Sequence, residues 1–146
     1  MGKELRIISI ARTDEEAAIR AVPVFTSGVQ AGFPSPADDY IEGQLDLNQL
    51  MVKHPAATFF VRVEGDSMRD AGIQSGDILV VDRSLEVANG KIVIAVVDGE
   101  FTVKRYFKDA SGIYLFPENP DYPKMKIEKS SDFQIWGIVS YVIHKC

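Results

Sequence analysis

A serine and a lysine are the residues of this chain whose surroundings suit covalent chemistry. Ser67 lies in Val63-Glu64-Gly65-Asp66-Ser67-Met68, where a β-branched apolar run meets a glycine and then a hydroxyl. A strand ending in glycine can hold a hydroxyl out at a turn, with neighbouring backbone N–H groups free for a developing oxyanion. Gly-Asp-Ser is also ordinary turn chemistry, and the string lacks the second glycine of a Gly-x-Ser-x-Gly elbow. A serine nucleophile needs a base. The two histidines, His54 beside Pro55 and His144 near the end of the chain, have no acidic partner at a recognisable spacing and read as a helix-end residue and a strand or tail residue. Lys104 interrupts the β-type run Phe101-Thr102-Val103-Lys104-Arg105-Tyr106-Phe107, and alternation puts it on the face of Thr102 and Tyr106. A lysine on a sheet is ordinarily solvated. To accept a proton at pH 7 it must be desolvated, because its usual pKa is about 10.4.

The elements that would position these residues follow from periodicity and punctuation. Met1–Ala31 carries short apolar patches broken by Pro23 and Gly28 and reads as an arm, and residues 32–39 (GFPSPADD) read as an extended, proline-stiffened linker. From Tyr40, the spacing of Ile41, Leu45 and Leu50-Met51-Val52 predicts a short amphipathic helix that stops before Pro55. Beyond it, aromatic and β-branched runs predict strands at 58–63, 78–81, 91–97, 101–107, 113–116 and 133–143. Asp98-Gly99 marks a two-residue hairpin turn that joins Lys91 to Phe107. The expected fold is mostly β, of twisted antiparallel strands, over residues 40–146.

Composition narrows the function classes. The chain has 146 residues with 46% apolar and 25% charged, enough for one packed body plus an arm. Its 16 basic and 21 acidic residues give a net charge of -5, against phosphate-driven nucleic-acid binding over the whole surface. The arm balances Lys3, Arg6, Arg12 and Arg20 with Glu4, Asp14, Glu15 and Glu16 and is too short for a helix-turn-helix head, so sequence-specific DNA binding is not expected. Cys146 is the sole cysteine, which excludes an intrachain disulfide and a cysteine zinc cluster. No metal or cofactor is expected. No apolar run approaches membrane-spanning length and no export signal is evident, so a cytoplasmic protein is expected.

Glu64-Gly65-Asp66-Ser67-Met68, Asp70-Ala71-Gly72-Ile73, Gly76-Asp77-Ile78-Leu79-Val80-Val81-Asp82-Arg83 and Phe101-Thr102-Val103-Lys104-Arg105 occur in that order. Together they resemble the LexA-like self-cleaving serine peptidase family, peptidase S24, and within it the UmuD-like SOS mutagenesis branch, which has a short arm where LexA repressors carry a DNA-binding domain. The resemblance covers roughly Phe33 to the end. It implies a LexA-like peptidase fold, Ser67 as nucleophile, Lys104 as general base, and an oxyanion hole from the backbone N–H groups of Asp66 and Ser67. It also implies self-cleavage between a small residue and glycine in the arm, which falls on Ala31-Gly32. The other Ala-Gly pair, Ala71-Gly72, lies inside the motif and too close to Ser67 to fold back onto it.

The same resemblance implies promotion of cleavage by RecA filaments on single-stranded DNA, and a processed homodimer that assists a Y-family translesion polymerase. A second copy would also bury the arm's apolar patches and Ile135-Trp136-Gly137-Ile138-Val139, although that strand equally suits ordinary core. The competing reading is a dimeric β-rich binding module without catalysis, in which Ser67 and Lys104 are loop and sheet residues. A LexA-type regulator comes third and lacks its head domain.

Overall fold

The structure is a computed structural model, and it describes residues 2–13, 21–25 and 41–146. The expected scissile pair Ala31-Gly32 and the linker 32–39 lie outside the described residues. Ten strands are seen among the described residues: β1 (Arg6–Arg12), β2 (Ala21–Phe25), β3 (Ile41–Asp46), β4 (Thr58–Glu64), β5 (Ile78–Asp82), β6 (Ile92–Val97), β7 (Glu100–Asp109), β8 (Gly112–Phe116), β9 (Met125–Lys126) and β10 (Phe133–Ile143). Eight form one antiparallel sheet in the order β1-β4-β5-β10-β6-β7-β8-β9, and β2 pairs with β3 in a ribbon. The long sheet curls, so that β1 approaches β7 although four strands lie between them in the strand order. That curl brings the two candidate site regions together.

The mostly β expectation holds, and the predicted strands lie within a residue or two of those observed. The hairpin is the clearest case. Asp98 and Gly99 both take positive φ (50° and 85°), the backbone that a two-residue turn between right-twisted strands requires, and the ladder runs from Val97↔Glu100 to Ile92↔Arg105. The register places Lys104 opposite Val93.

The helix expected from Tyr40 is corrected. Ile41–Asp46 is strand β3, and the helix, α1, spans only Leu47–Met51. The Asp46 carboxylate accepts from the Gln49 N–H at 3.1 Å, which fixes Asp46 as the cap. The four-residue spacing of Ile41 and Leu45 therefore gave a false helical period, overridden by pairing with β2. The expected arm is also partly built into the body, since β1 adds to the edge of β4 with Arg6↔Glu64 and Arg12↔Phe59 as its outer pairs.

Two apolar clusters form the core. One joins Leu5, Val61, Val63, Met68, Ile73, Leu79, Val81, Ile94 and Val103, and the other joins Val93, Ala95, Tyr106, Leu115 and Ile138. Alternation along β6 explains the division, because Ile94 points to the first cluster and its neighbours Val93 and Ala95 to the second. Ile138 is core, and Trp136 packs against the first cluster and meets the Phe59 ring at a tilt and the Phe101 ring edge-on. Ile135 and Val139, partly buried, also pack against these clusters, so the ordinary-core reading applies to this strand, Trp136 included. Among the described residues no helix is long and apolar enough to cross a membrane.

Candidate active site

Ser67 is reached by a strand that stops abruptly. β4 ends at Glu64, and Gly65 turns the chain with φ of +110°, a backbone that residues with a side chain rarely adopt. A Cβ there would also lie 2.3 Å from the Glu4 carbonyl oxygen, so only glycine lets the two chains approach. Ser67 and Met68 follow, both fully buried, and a short 3₁₀ turn at Arg69–Ala71 carries the chain on. Met68 anchors the turn in the first core cluster.

A loop that the sequence reading did not single out fastens this turn from outside. The Ser67 carbonyl accepts from the Glu118 N–H at 2.9 Å, and the Asp70 N–H returns to the Glu118 carbonyl at 2.8 Å. The Asn119 side-chain amide, itself buried, donates to the Asp66 carbonyl at 2.8 Å. Tyr122 donates its hydroxyl to the Asp66 carboxylate at 2.7 Å, and desolvation together with that bond pushes the phenol up to about 12. Arg105 pairs with the Glu118 carboxylate and so ties the loop to β7. No motif announces Asn119 or Tyr122, which lie in an irregular stretch between prolines.

Lys104 enters from the other side. Its residue is 3% exposed, and its Nζ lies 3.5 Å from Ser67 Oγ although 37 residues separate the two in sequence. Nζ also donates to Thr102 Oγ1 at 2.9 Å and to the Val103 carbonyl at 3.1 Å. The Thr102 contact follows from alternation, which sets residues 102 and 104 on one face. Burial holds the Lys104 ammonium below the ordinary lysine range, opposed by an ion pair with the Glu4 carboxylate. A buried amine beside a hydroxyl can act as a base when it is neutral.

The segment before β1 completes the site, and the sequence reading missed it. The Lys3 carbonyl accepts from the Asp66 N–H at 2.7 Å, and the Leu5 N–H donates to Ser67 Oγ at 2.9 Å. Leu5 is 1% exposed in the core.

The histidines stand apart from this arrangement. Each finds an acidic partner in space: His54 Nδ1 meets Asp82 Oδ2 at 2.6 Å and His144 Nδ1 meets Asp77 Oδ1 at 2.7 Å. The partners are 28 and 67 residues away, beyond any local spacing rule. The hydrogen bonds of Ser67 Oγ run to Leu5 and Lys104 and to neither histidine. Among the described residues no group of three or more His, Cys, Asp or Glu could hold a metal ion.

Comparison with known proteins gives a family. The profile of a family described as Peptidase S24-like matches residues 23–140. Protein SamA of Salmonella typhimurium is 47% identical over 139 residues, covering 95% of this chain and 96% of its own. Protein MucA of Escherichia coli is 40% identical over 135 residues, covering 92% of each chain. The LexA repressor of Acidithiobacillus ferrooxidans is 39% identical over 137 residues, covering 92% of this chain but 64% of the repressor.

Proposed function

Because the chain belongs to the peptidase S24-like family, we propose that it is a serine endopeptidase that cuts its own Ala31-Gly32 bond with a Ser67–Lys104 dyad. The observation that carries this reading is the 3.5 Å approach of Lys104 Nζ to Ser67 Oγ in a site where both residues are buried. Neutral Lys104 takes the Ser67 proton as Oγ attacks the Ala31 carbonyl carbon. The oxyanion is held by the backbone N–H groups of Asp66 and Ser67. On collapse the C–N bond breaks, the Lys104 ammonium returns its proton to the Gly32 nitrogen, and water activated by Lys104 then hydrolyses the Ala31 ester. An attached substrate supplies orientation that a small enzyme could not otherwise provide.

The reaction needs the uncharged amine, so its rate should rise with pH until Lys104 has lost its proton. Incubation of the pure protein at alkaline pH, followed by intact mass, tests this. A fragment that begins at Gly32, absent in Ser67→Ala, is the expected result. Intact protein, or equal cleavage in Ser67→Ala, would instead favour a binding module without catalysis.

The SOS part of the reading rests on the resemblance of the ordered motifs to the UmuD-like branch. In it, a RecA filament on single-stranded DNA shifts the arm toward the cleavable position, and the processed homodimer assists a Y-family translesion polymerase. Addition of such filaments should accelerate cleavage at neutral pH, and size-exclusion chromatography with light scattering should return twice the chain mass.

A further inference from the structure

We propose that the segment Lys3–Leu5 is a built-in occupant of the cleft that holds the dyad off until it leaves. This inference rests on the self-cleavage reading above and adds its regulation.

Three contacts place the segment as a peptide in a peptide-binding cleft. The Lys3 carbonyl takes the Asp66 N–H, one of the groups assigned to the oxyanion, at 2.7 Å, and the Leu5 N–H takes the nucleophile's oxygen at 2.9 Å. Glu4, between them, sets its carboxylate on the Lys104 ammonium. Leu5 anchors the segment, since its side chain is buried in the same cluster as Val61, Val63, Met68 and Ile73. The chain continues directly into β1, which pairs along β4, so the occupant is tethered at high effective concentration.

The occupant is inert for a geometric reason. The Leu5 N–H donates to Ser67 Oγ, so an oxygen lone pair that could attack is taken up by an amide hydrogen rather than aimed at a carbonyl carbon. Lys104 is disabled as well. An ammonium has three N–H donors, and Glu4, Thr102 Oγ1 and the Val103 carbonyl are there to accept them. The charged groups at this point are Glu4 from the segment, Lys104 from β7, and Asp66 from the serine turn, whose carboxylate is engaged by Tyr122. Withdrawal of Glu4 removes the one carboxylate bonded to the amine among the described residues and leaves burial to favour its neutral form. A cleft that holds Lys3–Leu5 at Ser67 has no room there for Ala31-Gly32, so the two segments compete and any partner that draws residues 3–5 away turns cleavage on.

The test uses the full chain and two readouts, cleavage after Ala31 by intact mass and modification of Ser67 by a fluorophosphonate probe. Glu4→Gln keeps Leu5 and the shape of the segment, and should raise both on the order of tenfold at neutral pH. A chain lacking residues 2–5 should do the same, and a synthetic peptide of residues 2–7 should restore the block. If the truncated chain fails to fold, Glu4→Gln decides alone. Unchanged or slower cleavage and labelling in Glu4→Gln, with Ser67-dependent cleavage intact in the parent chain, overturns the blocking role and leaves the self-cleavage reading standing. Absence of Ser67-dependent cleavage in every chain, alkaline pH included, overturns both.

Discussion

Bonds to the main chain hold the serine turn: the Glu118 N–H on the Ser67 carbonyl, the Asn119 side-chain amide on the Asp66 carbonyl and the Glu118 carbonyl on the Asp70 N–H. Lys104, by contrast, is carried on a strand whose ladder fixes only its backbone, and its amine is met by one threonine, one carbonyl, one serine and one carboxylate. The difference separates position from charge. Several bonds fix where Oγ lies, and single side-chain changes around it cost stability before they alter chemistry. The charge of Lys104 is a balance between burial and Glu4, so a single nearby group alters its chemistry with little effect on the fold.

The largest test of that contrast is Lys104→Met. It should lower self-cleavage by about 10²–10⁴-fold, the usual contribution of a positioned base. The denaturation midpoint should hold or rise, because an apolar side chain of similar length replaces a buried charge. A large loss of stability would show that the lysine is structural. On the serine side, Gly65→Ala should do the reverse, costing about 1–3 kcal/mol in chemical denaturation through its left-handed backbone and the approach to Glu4. Gly72→Ala, also at positive φ but with open space around its Cβ, should cost less. Asn119→Ala leaves the Asp66 carbonyl without its amide donor and should cost about 1–2 kcal/mol, read in the same denaturation experiment, with cleavage slowed through misplacement of the turn. The smallest effect belongs to Thr102→Val. Loss of an acceptor for the ammonium favours the neutral amine, so the pH profile of cleavage should move to lower pH while the fold is unchanged. A move to higher pH would contradict the balance described for Lys104.

Much of the fold was legible because its signals are local. Asp98-Gly99 announces a turn that pairs Val93 with Lys104, and alternating apolar residues mark β4 through β8 and β10. Local signals also misled. Ile41 and Leu45 imitate a helical period in what pairs as a strand, and Met125–Lys126 is too short to carry any period. Of the site, Ser67 and Lys104 were nameable from the glycine turn, the interrupted β run and the resemblance of the ordered motifs. Glu4, Asn119, Tyr122 and the acidic partners of both histidines were not, because nothing in their own neighbourhoods distinguishes them.

By itself, the sequence determined periods, turns and the hydroxyl-bearing bend, all of which depend on residues a few positions apart. Only the tertiary structure decided that Lys104 is buried, that Leu5 is core and that Glu4 sits on the amine, contacts that span 62 residues from Leu5 to Ser67 and 100 from Glu4 to Lys104. Their cause is the curl of the sheet. Strand twist accumulated over successive ladders brings β1 to β7, and no residue's own periodicity encodes where that sum will close.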